Sequence, residues 1–523
     1  MARIVDLRAL LVALCAVVAA GSYSSTASST ASGRVVKKIL HFSDVHLNIS
    51  ASFKAEDSAG FPYLYGQDAP VSLLESALTY AQQVLPHPDL FLYTGDHVAH
   101  GLFSDEYIAK ALETNVKTIE RFYSPRDSEM LETTAIIGNA DGNPDYYMEV
   151  TNPNSHVNPS IKKISKIWGE SLLSKDFEAF NRRGYLTYEL DEKLTVLTLN
   201  TVPYSPSHLP DTSGIEDPFG QFAWLNTTLA SLQNQGKFAY ITGHIAPIVD
   251  SYGGNPQWNV NYIATYKSIV GKYASVIKAQ MFGHVHSVEF RVPSVSLDAS
   301  ATGFELVPLF VSGSISPLFG NNPSFMVWDY DAETYDVLDY VVYGTNISEV
   351  DQKLDWQLLF TASEAYGLKS LSNLALTDFY QRVEADPALL EEYYWNMKAQ
   401  SHRTPPCVTD LCRAKTMCSL KWWTTKGEFL ACVDGATSTS SLVNTIINKG
   451  GAGGGGAGTG AAGTSAHYTL APSDVYIAIV MTVIATVVVL GLVFAVMHGL
   501  KRSGVLETSE YRDREKENFF PML

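Results

Sequence analysis

The run Val35-Val36-Lys37-Lys38-Ile39-Leu40-His41-Phe42-Ser43-Asp44-Val45-His46 reads as a buried strand that stops on two metal-binding side chains. The same form recurs. Leu90–Thr94 runs into Gly95-Asp96-His97, and Thr133–Ile137 into Gly138-Asn139-Ala140-Asp141. Phe238–Thr242 ends on Gly243-His244, and Ala279–Phe282 on Gly283-His284-Val285-His286. A sixth apolar run, Leu194–Leu199, carries no such ending. Between the strands, Ser72–Val84 and Ile108–Phe122 have the spacing of amphipathic helices. The alternation predicts a layered α/β domain whose functional loops gather at the C-terminal ends of its strands.

Singly, a Gly-His or Asp-x-His pair is usually a turn or a surface residue. Five at successive strand ends are a constellation. Aspartate, asparagine and histidine offer hard oxygen and imidazole donors, a mixture suited to zinc, manganese or iron rather than calcium. Alternate residues of an extended segment point to opposite sides, so Asp44-Val45-His46 and His284-Val285-His286 must bend to aim both ligands inward. Gly283 permits a close backbone approach there. A carboxylate can bridge two cations ~3.5–4 Å apart, an arrangement suited to in-line attack on phosphorus.

The chain has 523 residues, 46% hydrophobic and 17% charged, which excludes disorder over most of its length. Its net charge of −17 argues against a partner bound through a nucleic-acid backbone. Both ends read as targeting segments. Residues 1–20 form a secretory signal, with Arg3 and Arg8 before an uncharged run, and residues 21–34 form a Ser/Thr/Ala-rich spacer. Val475–Met497 is 23 residues without a charge, ~35 Å as a helix, followed by Lys501 and Arg502. It predicts one transmembrane helix, reached through a Gly/Ala-rich linker over 436–473 and leading to a cytoplasmic tail over 501–523. That charged tail argues against a processed lipid anchor. The expected topology is single-pass type I, with the folded part extracellular or lumenal, at the cell surface or on an endomembrane such as the vacuole. In that oxidising setting Cys407, Cys412, Cys418 and Cys432 favour two disulfides over a zinc site, and Asn48, Asn226 and Asn346 begin glycosylation sequons.

With its metal motifs, the chain resembles the calcineurin-like metallophosphoesterases. More narrowly, it resembles the acid sphingomyelinase-like phosphodiesterases. The narrower likeness rests on Ser314-Ile315-Ser316-Pro317, Asn321-Asn322-Pro323-Ser324-Phe325, Trp356, Glu364-Ala365-Tyr366-Gly367-Leu368 and the cysteine cluster. It spans about residues 36–435. No saposin-like segment separates the signal from the first strand, which places the likeness nearer the shorter branch, some members of which act on nucleotides. The resemblance implies a layered β-sandwich flanked by helices over 35–345 and a small helical, disulfide-bonded subdomain over 346–435. From Asp351 to about Gln400 the apolar residues Trp356, Leu359, Leu368, Leu371, Leu374, Phe379 and Val383 recur near helical spacing, which predicts short helices packing back on the catalytic domain. The resemblance implies two divalent ions, most suitably zinc. One would be held by Asp44, His46, Asp96 and His286, the other by Asp96, Asn139, His244 and His284, with Asp96 bridging. It also implies Cys407–Cys412 and Cys418–Cys432 pairings, and a small-molecule or lipid phosphoester as substrate. His100, four residues after Asp96, matches a family histidine near the substrate phosphate.

One departure matters. The family pattern after the third strand is Gly-Asn-His, and this chain has Gly138-Asn139-Ala140. The missing histidine is the one the resemblance assigns to protonating the leaving oxygen. Asp141 is a poor substitute, because a carboxylate beside two cations stays ionised. Losing a general acid commonly costs ~10²–10⁴ in rate, most for an alkoxide leaving group and less where a phosphate leaves. Nucleotide-like or activated phosphoesters are therefore expected to be better substrates than sphingomyelin, with His100 as a partial replacement acid. The rival expectation is a non-catalytic, membrane-tethered binding protein that keeps the metal site as a scaffold. Tyr393-Tyr394-Trp395 and Trp422-Trp423 are read as core packing in preference to bilayer contacts.

Overall fold

The computed structural model describes residues 34–50, 63–123, 134–168, 174–293, 306–348 and 353–437. The expected signal, the span over 475–497, the cytoplasmic tail and almost all of the linker lie outside them. Among the described residues no helix is long and apolar enough to cross a membrane.

Two sheets form the frame. One has the order β11-β10-β9-β1-β2, built from β1 (Val36–Phe42), β2 (Leu90–Tyr93), β9 (Ser324–Asp331), β10 (Val337–Ser348) and β11 (Lys353–Thr361). The other has the order β3-β4-β5-β6-β8-β7, from β3 (Leu186–Glu189), β4 (Leu194–Leu199), β5 (Phe238–Gly243), β6 (Ile277–Phe282), β7 (Glu289–Arg291) and β8 (Leu309–Val311). β1 pairs parallel to β2, and β4, β5, β6 and β8 pair parallel in turn. The ligand-bearing ends of β1 and β2 therefore lie side by side, as do those of β5 and β6.

Side-chain alternation assigns the layers. Ile39, Leu92, Trp328, Val196 and Tyr240 share one core cluster between the sheets. Their neighbours Leu40, Phe42 and Phe91 face outward onto the helix Val71–Val84. Leu197, Ile241 and Ile277 pack on the opposite side against the helices Gln221–Gln235 and Val260–Lys272. The result is a helix–sheet–sheet–helix sandwich, the layered α/β architecture expected.

Three expectations need correction. The run through Thr133–Ile137 is no strand over its described part: Thr134 stands in for a ladder partner instead. Its hydroxyl accepts from Tyr93 N (2.8 Å) and donates to Tyr93 O (2.9 Å), which leaves the buried run beside β2 without backbone pairing. The region from residue 353 begins not as a helix but as β11, with Trp356 opposite Thr345 of β10. Its alternation of exposed and half-buried residues has the period of a strand on an open sheet edge. The boundary at 345/346 consequently falls inside β10, whose hairpin with β11 carries the sheet to Thr361. Helices do follow, over Asn373–Ala385, Pro387–Met397 and Asp410–Ser419. Phe379 and Tyr393 seat them on Phe290 of β7, with ring centroids 5.6 and 5.4 Å away. Cys407 is bonded to Cys412 and Cys418 to Cys432. Tyr393 and Trp422 are buried, the latter with its indole N–H on Pro247 O, whereas Trp395 is partly exposed.

Candidate metal centre

The loops after β1, β2 and β6 turn through left-handed backbone. Asp44 (φ 50°), His46 (47°), Asp96 (55°), His284 (75°) and His286 (53°) all adopt it. Each such non-glycine residue costs about 1–3 kcal/mol, tolerated here because it brings alternate side chains to one side. Val45 and Val285, between the paired residues, are buried. Two glycines are required by crowding. A Cβ on Gly138 would lie 2.0 Å from Asp96 Oδ1, and one on Gly283 would lie 2.1 Å from Ser43 Oγ.

All seven predicted residues converge. Asp44 Oδ1 is 3.4 Å from His286 Nε2, which is 3.1 Å from His46 Nε2. His244 Nε2 is 3.0 Å from Asn139 Oδ1 and 3.3 Å from His284 Nδ1. Between the two groups stands Asp96, whose Oδ2 lies 3.3 Å from His46 Nε2 and 3.1 Å from His244 Nε2. All seven are buried.

Hydrogen bonds from the far side of three of the four rings fix which nitrogen faces inward, while His286 Nδ1 is buried without one. His46 Nδ1 donates to Val98 O (3.1 Å) and His244 Nδ1 to Thr94 O (2.8 Å), which turns both Nε2 lone pairs into the site. His284 Nε2 donates to Gln257 Oε1 (3.1 Å), leaving Nδ1 as its inward atom. Lone pairs and carboxylate oxygens aimed at one another over these distances call for cations between them. The donor set, two carboxylates, one amide oxygen and four imidazoles, fits two ions of the transition series. Burial, and next the neighbouring His100, His286 and His244, hold His46 neutral, well below the usual histidine range. Burial would lower His244 as well, but Asp96 overrides it and raises this residue to about 9.

His100 lies at the mouth. Its ring stacks on His46 with centroids 3.8 Å apart, and its Nδ1 and backbone N both donate to Asp68, at 3.1 and 2.9 Å. Asp68 and Gln257 escaped sequence reasoning because neither follows a strand or belongs to a ligand-spaced motif. Ala140 is buried and its N–H donates to Asp96 Oδ1 (2.8 Å), so the backbone at this position still orients the carboxylate that stands between the two groups. Asp141 turns away from the seven converging side chains. It accepts from Gly138 N (2.8 Å), His97 N (2.8 Å) and His97 Nδ1 (3.0 Å), tying together the loops that carry Asp96 and Asn139. Asn48, Asn226 and Asn346 are half-buried, with Oδ1 accepting from Tyr107, Tyr273 and Asn322 respectively.

Residues 37–288 match the calcineurin-like phosphoesterase family, and residues 307–438 match the acid sphingomyelin phosphodiesterase C-terminal region. The chain is thus a metallophosphoesterase, a hydrolase of phosphodiesters. Within that class it belongs with the acid sphingomyelinase-like phosphodiesterases. Sphingomyelinase phosphodiesterase D of Dictyostelium discoideum is 28% identical over 68% of this chain and 79% of that protein. Acid sphingomyelinase-like phosphodiesterase 3b of Mus musculus is 26% identical over 74% and 88%. Cyclic GMP-AMP phosphodiesterase SMPDL3A of Rattus norvegicus is 24% identical over 73% and 85%.

Proposed function

We propose that the chain is a dinuclear-metal phosphodiesterase that favours phosphoesters with a good leaving group, nucleotide-type esters above sphingomyelin. Asp44, His46, Asp96 and His286 would hold one ion and Asp96, Asn139, His244 and His284 the other, with zinc the best match to this donor set. Such ions supply Lewis acidity and an activated water. The observation that carries the reading is Asp96 Oδ2, placed within 3.3 Å of an imidazole from each half of the site.

The protein's own groups do the rest. Asp96 is oriented by Ala140 N, and Asp44 by His284 N and by the Ser43 hydroxyl. Asp68 holds the Nδ1 proton of His100, which presents Nε2 as the group able to contact the phosphate and pass a proton to the leaving oxygen. With alanine at 140, the second imidazole of the family pattern is missing, and that loss weighs most on alkoxide leaving groups. Secretion through residues 1–20, anchoring by 475–497 and glycans on Asn48, Asn226 and Asn346 complete the proposal, with the site outside the cytosol.

Turnover of ADP, bis(4-nitrophenyl) phosphate and sphingomyelin by the zinc-loaded ectodomain tests it. The expected order places sphingomyelin last, and Ala140→His is expected to raise sphingomyelin turnover ~10²-fold or more. Faster cleavage of sphingomyelin than of the other two, or no gain in Ala140→His, overturns the preference.

A further inference from the structure

His41 is a buried histidine that is no ligand of the metal centre. It shares the inward face of β1 with Ile39, and its cross-strand neighbours Leu92 and Met326 belong to the core between the sheets. A polar side chain in that place costs free energy unless both ring nitrogens are satisfied. Both are. Trp328 on β9 donates its indole N–H to His41 Nδ1 (3.3 Å), and His41 Nε2 lies 3.0 Å from Thr94 Oγ1. Thr94 Oγ1 donates to Ser43 Oγ (2.6 Å), and the Ser43 hydroxyl donates to Asp44 Oδ2. All five side chains are fully buried.

This series has a direction. An indole nitrogen only donates and an ionised carboxylate only accepts, so the two ends allow one placement of the protons between them. His41 carries its ring proton on Nε2, and each hydroxyl passes its hydrogen on toward Asp44. The ring must be neutral for this. Burial, outweighing the charge of Asp44, lowers His41 to about 3. The series ends on Oδ2, while Oδ1 faces His286 Nε2 at 3.4 Å. The N–H of His284 lies 3.1 Å from Oδ1 and 3.0 Å from Oδ2, so the Ser43 hydroxyl is the donor that tells the two oxygens apart. Gly283 covers the junction: a Cβ there would stand 2.7 Å from Asp44 Oδ2 and 3.0 Å from Thr94 Oγ1.

We propose that His41, acting through Thr94 and Ser43 and oriented by Trp328, is a positioning residue for the metal centre: the series reserves Asp44 Oδ2 for the Ser43 hydroxyl and Oδ1 for the cation, and so strengthens the ion held by Asp44, His46, Asp96 and His286. The inference rests on the metal-centre reading and carries it from a ligand into the core between the sheets. Hydrogen bonds behind a metal ligand typically contribute a factor of about 10–100 in metal affinity. The other ion depends on this series far less, because Thr94 serves that half through its backbone, with its carbonyl accepting from His244 Nδ1 (2.8 Å).

Zinc binding by the purified protein, followed by calorimetric titration, tests the role. His41→Leu and Thr94→Val each interrupt the series without removing a ligand. Each is expected to weaken one ion on the order of 10- to 100-fold and the other less than about threefold. His41→Gln, whose amide N–H can take the place of Nε2–H, should recover most of the loss. The double variant His41→Leu/Thr94→Val should bind no more weakly than the worse single variant, since both cut the same series. If His41→Leu fails to fold, Trp328→Phe keeps a ring in the core, removes the indole N–H and should show the same one-ion loss. Both ions weakened alike, additive losses in the double variant, no recovery in His41→Gln, or unchanged affinity throughout overturns the positioning role. A wild type that binds no zinc refutes the metal-centre reading itself, and the positioning role with it.

Discussion

Asp96 performs separate tasks with its two oxygens. Oδ1 accepts from Ala140 N, and Oδ2 faces His46 and His244. Without metal, Oδ2 instead holds a proton on His244, whose affinity rises from 6.5 to about 9. The sign follows directly. A histidine raised on folding contributes stability that is complete below pH 6.5 and fades as pH climbs through about 9. A metal ion must displace that proton, so zinc affinity of the metal-free protein should increase from about pH 6 to about pH 9, as read by calorimetric titration. Affinity flat across that window contradicts the assignment of His244. His100 gives a second prediction. Asp68→Ala removes the acceptor that holds its Nδ1 proton, so turnover of an alkyl phosphodiester should drop ~10-fold while that of a nitrophenyl diester drops little. A uniform loss would assign Asp68 a purely structural role.

At the scale of elements, the site is made by strand ends. β1, β2, β5 and β6 were legible in the sequence because short apolar runs stop on Gly, Asp or His, and parallel pairing brings such ends together. The candidate ligands that these ends bring together were legible for the same reason. What the sequence hid were contacts that cross the fold. Asp68 lies 32 residues before His100, and Gln257 lies 27 before His284. The run before Gly138 looked like a strand because buried extended chain has the composition of one, whatever its hydrogen-bond partners. β11 was misread because its apolar residues, half-buried on an open edge, also fit a loose helical spacing. Gly138 is where element and ligand meet. Gly138→Ala would drive a Cβ into Asp96, and a shift near 1 Å in a bridging group costs ~10²-fold. Turnover should fall by that order with circular dichroism unchanged; an alanine variant of wild-type activity would show that the loop can yield.

For the whole molecule, the decisive contact is between the sheets, because the strand ends of each carry three of the seven candidate ligands, with Asn139 coming from the run beside β2. Trp328, fully buried, packs on Phe310 across that interface, with centroids 5.3 Å apart. Trp328→Ala should cost ~3–5 kcal/mol and lower both the melting temperature and metal retention, since separating the sheets separates Asp96 from His244. Thermal unfolding followed with and without zinc checks this. The C-terminal helices act on the other flank: they brace β7 through Phe290 and set Lys398 against Ser287, the residue after His286. The central claim, that Asp96 joins two metal subsites into one hydrolytic centre, is tested most directly by metal content and bis(4-nitrophenyl) phosphate turnover of the purified protein beside its Asp96→Asn variant. The account predicts two bound ions in the wild type, and in the variant loss of at least one ion with turnover down by ~10² or more. A wild type holding no ions, or an Asp96→Asn variant with undiminished turnover, would contradict it.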